Sequence, residues 1–146
     1  MPTRTARTAW TGTLEQGKGL VELTSSKLGT YEVSFPRRAA EEADGYTSPE
    51  ELIAAAHSAC YAMSLSSAVA RAGGTPQALD VQADVTLGRD PAGGVRLTGI
   101  KLTVRGEVDG LDDAQFAKAA QDAKANCPVS KALTGVDISL DAALEH

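Results

Sequence analysis

Histidine and cysteine are scarce in this sequence: two of each in 146 residues, with no C-x-x-C pair. One histidine, His146, ends the run Leu144-Glu145-His146, which reads as the start of a vector-encoded His-tag and is set aside. Zinc normally takes four ligands from Cys, His and acidic side chains, so two cysteines and His57 make a poor zinc set. Basic clusters are missing too. The formal net charge is −5 and no Lys/Arg run is longer than Arg37-Arg38, which leaves no basic face for nucleic acid. No apolar run approaches the length of a membrane span, and Met1 to Ala9 lacks the apolar stretch of a secretory signal. The expected location is the cytoplasm, with no membrane partner. Internal repeats, low-complexity runs and long linkers are absent, so the chain reads as one domain over residues 1–143.

What is present belongs to an ordinary soluble globular chain: 42% hydrophobic and 23% charged residues. The length suffices to bury a core without staples. Thr8, Trp10, Gly12 and Leu14 alternate with other residues, Gln16-Gly17 makes a turn, and Leu20 to Leu23 reads as a second short strand. Tyr31, Val33 and Phe35 alternate cleanly as a third, followed by a polar loop from Arg37 to Thr47. Ser48-Pro49-Glu50-Glu51 is a helix start, with Ser48 at the cap, Pro49 at the first helical position and Glu51 completing a capping box. That helix runs to about Ala72, where Gly73-Gly74 stops it. Its middle, Ile53 to Leu65, has almost no charge and many small side chains. A helix apolar all round is a buried one, which places it at the centre of the fold or in a subunit interface.

Val81, Ala83, Val85 and Leu87 then share a strand face, and Asp90 to Gly94 forms a hairpin-type loop. Val95 and Leu97 give way to Ile100, Leu102 and Val104 with a one-residue slip at Gly99, the mark of a β-bulge. A second helix starts at Asp112, with Gln115 completing a capping box, and runs to about Asn126 before Pro128 breaks it. Val129 to Leu133 suit a short helical turn, and Val136, Ile138 and Leu140 a last strand. The order β-β-β-α-β-β-α-β defines an α+β fold.

Two cysteines in a cytosolic chain rarely make a static disulfide. They are inert buried thiols or a redox pair, and statistics alone put the inert reading ahead. Around the central helix, Glu50 and His57 lie nearly on one face and Cys60 about 60–80° around from them. Glu51 is explained by capping. Glu50 is a first-turn acid favoured by the helix dipole, or a partner for chemistry nearer Cys60. Ten residues separate Glu50 from Cys60, about 15 Å of helix, so cooperation needs a bridging cation, a second copy of the helix, or both. Arg37 and Arg38 are the nearest basic candidates. A guanidinium holds a carboxylate with two hydrogen bonds and favours a thiolate, the nucleophilic form; against this, loop arginines are usually just solvated. His57, three residues before Cys60, is a base for the thiol or a core histidine bonded to a backbone carbonyl. Apolar surroundings and the lack of an orienting acid favour the second. Cys127, in Asn126-Cys127-Pro128-Val129-Ser130, sits at a helix break where backbone N–H groups can lower a thiol pKa and where mobility would suit a disulfide-forming residue; otherwise it is a capping residue.

The stretch from Thr47-Ser48-Pro49-Glu50-Glu51 through His57-Ser58-Ala59-Cys60-Tyr61-Ala62-Met63 resembles the central helix of the OsmC/Ohr family, the osmotically inducible and organic hydroperoxide resistance proteins. Asn126-Cys127-Pro128-Val129-Ser130-Lys131 resembles its second cysteine motif, and Ala9-Trp10-Thr11-Gly12 with Gly17-Lys18-Gly19 fits the OsmC branch. The resemblance implies an intertwined homodimer with sites at the interface, and a thiol peroxidase without metal, haem or flavin. It implies that Cys60 is the peroxidatic and Cys127 the resolving cysteine. It matches Glu50 to the glutamate that pairs the catalytic arginine, with Arg38 favoured over Arg37 by spacing from Phe35. It leaves the role of His57 open. The implied substrate is an organic hydroperoxide and the implied reductant a small dithiol such as a lipoyl group. Two other readings use the same residues: a binding or stress-structural protein without peroxidase activity, told apart by whether Cys60 reacts stoichiometrically with a hydroperoxide, and a redox sensor, marked by fast first oxidation and slow turnover.

Overall fold

The computed structural model describes residues 1–146. The chain divides into two compact units, Met1–Leu52 and Ile53–His146.

The first unit is a three-stranded antiparallel sheet of β1 (Arg7–Thr11), β2 (Lys18–Glu22) and β3 (Thr30–Val33), in that order. Between β1 and β2 the chain passes Gly12, at φ +99, directly against Gly17; a Cβ on Gly12 would stand 2.9 Å from the Cα of Gly17. Val21 is the one large apolar side chain this unit buries, and Trp10, Leu14, Leu20, Leu28 and Tyr31 are exposed. Phe35 does not extend β3 as its alternation suggests. Ser34 caps a short helix, α1 (Phe35–Ala39), its Oγ accepting from the Arg37 N–H at 3.2 Å, and Pro36 suits a first-turn position. Arg37 and Arg38 therefore stand on a helical turn rather than in the expected loop.

The helix α2 (Pro49–Arg71) begins in the first unit and continues through the second. The Ser48 hydroxyl accepts from the Glu51 N–H at 3.1 Å, but the Glu51 carboxylate takes a hydrogen bond from the Thr47 hydroxyl at 2.6 Å, so only one half of the expected capping box forms. After α2 come β4 (Thr75–Arg89) and β5 (Val95–Asp109), a long antiparallel hairpin. Its register shifts where Thr86 pairs Gly99 and Leu87 pairs Leu97, so Thr98 is the extra residue of the bulge that the sequence phase slip marks. Then follow α3 (Asp113–Asn126), α4 (Pro128–Ala132) and β6 (Ile138–Leu144), which joins β5 in parallel. Leu144, set aside in the sequence reading, pairs with Gly106 as the last rung of that ladder. The expected order holds, with the short helical turn expected at Val129 to Leu133 formed as α4 and the short helix α1 added.

One face of the β4–β5–β6 sheet carries the core. Tyr61, Leu65, Ala68 and Val69 of α2 and Phe116, Ala119, Ala120 and Ala123 of α3 pack with Leu102 and Val104 of β5 and with Cys127. The opposite face is polar and exposed, as at Gln82, Asp84, Lys101 and Asp141. By length and composition α2 is long and apolar enough to cross a membrane, which corrects the sequence reading that no stretch comes near it. Alanine and serine raise its average without any unbroken apolar run. Its apolar character serves the core on one side only: Ala55, Ala56, Ala59 and Met63 are exposed, with Met63 at 74%. Of the two expected placements, the centre of the fold holds for the side of α2 that carries His57, Tyr61, Leu65, Ala68 and Val69.

Candidate active site

Cys60 lies mid-way along α2, half-buried, and Cys127 is fully buried between α3 and α4. Pro128 lacks an N–H and cannot continue α3. The chain therefore stops at Asn126 and restarts, making Cys127 the C-cap of one helix and the N-cap of the next. Its N–H donates to the Ala123 carbonyl at 2.8 Å, and its own carbonyl accepts from the Lys131 N–H at 2.9 Å. The junction expected to be mobile is thus tied on both sides of Cys127. Both thiols are free. Cys60 packs against the cluster that contains Cys127, and each sulfur acts on the titration of the other.

The two thiols are shifted in opposite directions. Burial pushes Cys60 up; the Val129 N–H and the Ser64 hydroxyl, one helical turn away, work against this, while Cys127 adds to it. Burial also pushes Cys127 up, but the Ser130 N–H, the Ser130 hydroxyl, the Cys60 thiol and the Val129 N–H together outweigh it and leave Cys127 below its ordinary value. The donors around Cys127 favour its thiolate, while burial holds Cys60 in the thiol form. The nucleophile expected from the sequence, Cys60, is the more accessible thiol and the less acidic one.

His57 is buried completely, and burial lowers its pKa, so it is neutral near pH 7. Its Nε2 lies 2.8 Å from Ser130 Oγ, and Nδ1 has no partner. The sequence reading expected a bond to a backbone carbonyl; the partner is a side chain on α4 instead. Tyr61, next to Cys60, is buried with its hydroxyl donating to the Ala120 carbonyl at 2.9 Å, and burial, with Cys127, pushes its pKa up. Ser64 and Ser130 are the residues that the sequence reading passed over. Their signal is spacing alone, four residues after Cys60 and three after Cys127.

In the first unit, Arg38 and Glu50 form an ion pair. Nε of Arg38 donates to both Glu50 oxygens, at 2.8 and 3.2 Å, and the Glu50 side chain is 10% exposed. Arg37 turns away, to Asp44 at 3.5 Å and to the Glu42 carbonyl. Arg38 also lines an apolar cavity of about 410 Å³ with Trp10, Leu14, Val21, Val33 and Phe35. An apolar hollow with one guanidinium suits a molecule with a hydrocarbon body and one polar, charge-developing end.

The family model for OsmC-like proteins matches residues 42–141. This chain belongs to the OsmC family. The OsmC fold is shared with proteins of both its branches. The peroxiredoxin OsmC of Escherichia coli K12 is 42% identical over 132 residues, 90% of each chain. The organic hydroperoxide resistance protein OhrA of Bacillus subtilis is 31% identical over 83% of this chain and 85% of its own. The crystal structure of OhrB of Bacillus subtilis superposes with a TM-score of 0.74 at 26% identity, covering 94% of this chain and 97% of that one. The OsmC match takes in Cys60, Cys127, His57, Ser130 and Glu50, while Arg37 and Arg38 lie just before it.

Proposed function

We propose that this chain is a thiol-dependent peroxidase that reduces organic hydroperoxides, with Cys60 as nucleophile and Cys127 as resolving thiol. The observation that carries the reading is that half-accessible Cys60 packs against the buried cluster that contains Cys127, with both thiols free. Relatives named for peroxiredoxin activity and organic hydroperoxide resistance support it.

In the proposed cycle Cys60 gives up its proton to solvent, and the Cys60 thiolate attacks the outer oxygen of the hydroperoxide. The O–O bond breaks, an S–O bond forms, and the alkoxide takes up a proton and leaves as the alcohol. Cys60 is now a sulfenic acid. The Cys127 sulfur attacks it, an S–S bond forms, the S–O bond breaks, and water leaves with the Cys127 proton. An external dithiol, of which a lipoyl group is one example, reduces the disulfide by exchange. Arg38, held by Glu50 through Nε, keeps its terminal nitrogens for a polar group of the substrate. The cavity beside Arg38 supports alkyl or lipid-like hydroperoxides over hydrogen peroxide. The cycle draws on no metal, haem or flavin, and its place is the cytoplasm. The working form is a homodimer, supported by the exposed apolar face of α2 and by the exposed apolar side chains of the first unit.

The test is stopped-flow oxidation of the pre-reduced protein by cumene hydroperoxide, followed by intact mass, with Cys60→Ser alongside. A fast, stoichiometric loss of two hydrogens in the wild type, absent in the variant, supports the cycle. No reaction, or an equal reaction in both, sinks it in favour of a binding or stress-structural protein; fast first oxidation without turnover marks a sensor.

A further inference from the structure

We propose that Ser130 and His57 are positioning residues for the resolving step: the Ser130 hydroxyl donates to the sulfur of Cys127, and His57 fixes the direction in which that hydroxyl points. The inference rests on the reading of Cys127 as the resolving thiol.

The direction follows from hydrogen-bond accounting. A neutral imidazole carries one N–H and one bare nitrogen. His57 Nδ1 is buried with no partner, and an orphaned buried N–H is costlier and rarer than an orphaned lone pair. The proton therefore sits on Nε2, which donates to Ser130 Oγ across 2.8 Å. With that lone pair occupied, the hydroxyl hydrogen of Ser130 is free to point elsewhere. Ser130 is itself buried at 6% exposure, so water does not compete freely for it. It stands one turn of α4 after Cys127, which occupies the cap position without a regular cap hydrogen bond. The Ser130 hydroxyl acts on the Cys127 thiol in the direction of the thiolate. His57 thus has a task that neither a general base nor an inert core histidine performs.

The remaining titratable neighbours of Cys127 are Cys60 and Tyr61 of α2; the sheet side chains in its cluster, Leu102, Val104, Ile138 and Leu140, are aliphatic. When Cys60 becomes a sulfenic acid, it no longer carries a thiol. The Ser130 hydroxyl, buried one turn of α4 after Cys127, is then the side-chain donor left to hold the attacking sulfur as thiolate. Ser130 keeps its own proton throughout; the proton that Cys127 gives up on becoming a thiolate neutralises the departing hydroxide as water.

The test has two arms. In the first, reduced Cys60→Ser protein is titrated by ultraviolet thiolate absorbance, so that Cys127 is the one cysteine observed. Adding Ser130→Ala moves the midpoint to higher pH; His57→Leu moves it the same way; His57→Gln, whose amide can still donate to Ser130, and Ser130→Thr, which keeps a hydroxyl, restore it. In the second arm, with both cysteines present, Ser130→Ala slows disulfide formation at neutral pH by about tenfold, the worth of one hydrogen bond to a charged group, and slows sulfenic acid formation much less. Unchanged midpoints in both Ser130→Ala and His57→Leu overturn the proposal, as does an equal slowing of both steps. If Ser130→Ala does not fold, the comparison of His57→Leu with His57→Gln decides. Should the wild type form no sulfenic acid, the peroxidase reading falls, while the titration in the Cys60→Ser background still decides the hydrogen-bond chain.

Discussion

At the scale of single residues, the two neighbouring arginines give a clean contrast. Arg37 meets an exposed Asp44, an ion pair of little worth in water. Arg38 meets a nearly buried Glu50 and faces the apolar cavity. Under the proposed cycle, Arg38→Ala lowers the rate of thiol oxidation by cumene hydroperoxide by about a hundredfold, the usual cost of losing one donor to a developing oxyanion. Arg37→Ala leaves it within about twofold. Stopped-flow rates for the two variants check this, and equal losses would remove Arg38 from the reaction. His57 gives a second prediction, on stability. Its folded pKa lies below 6.5 because burial disfavours the cation, so between that folded value and 6.5 the unfolded chain binds the extra proton. Stability is therefore complete above 6.5 and is lost as the pH falls through this window, with a slope of at most about 1.4 kcal/mol per pH unit from this group. Urea unfolding of wild type and His57→Gln across that range should show the shallower slope in the variant; identical slopes would mean that His57 accepts its proton without cost.

At the scale of elements, what was legible in the sequence was what local chemistry decides. Asp112 and Gln115 form both halves of their capping box, with N–H to oxygen distances of 2.8 and 2.9 Å, because nothing nearby competes. At Glu51 the Thr47 hydroxyl competes and wins, and no periodicity signals that. The bulge at Gly99 was visible because a slip in phase moves the apolar residues to the other face. The turn of α1 was hidden because Phe35 fits the alternation of the preceding strand while Ser34 and Pro36 dictate a helix start. The Cys60 and Cys127 pairing came from the motif resemblance, whereas the Ser130 contact to His57 spans 73 residues and no local signal reports it. Packing across elements carries the next prediction. A Cβ on Gly106 of β5 would stand 2.9 Å from Phe116 Cζ and 3.2 Å from Leu79 Cδ2. Phe116 is 1% exposed and cannot swing into solvent. Gly106→Ala should therefore cost about 1–3 kcal/mol by overpacking. Phe116→Leu, destabilising alone, should recover part of that cost in the double variant, and strictly additive losses in thermal unfolding would show that the two residues do not clash.

At the scale of the whole molecule, the exposed apolar surface calls for a cover. The buried side of α2 is spent on the β4–β5–β6 sheet, and its other side presents Ala55, Ala56, Ala59 and Met63 to solvent. The first unit buries Val21 and leaves Leu20, Leu28 and Tyr31 exposed. Patches of this kind mark interaction surfaces, and small side chains along a helix let a second backbone approach closely. A second copy of this chain is the simplest occupant, since self-complementary contacts in a closed dimer cover the same patch twice over. Sedimentation equilibrium of the wild type should then give a dimer at micromolar concentration. Met63→Lys should shift it toward monomer, since Met63 is 74% exposed within one chain and loses nothing there on substitution. Its own α2 contacts with the sheet are made from the opposite side, so far-ultraviolet circular dichroism of the variant should remain that of the wild type. A wild type that sediments as monomer would overturn the dimer, and a dimer unaffected by Met63→Lys would move the interface off this face of α2.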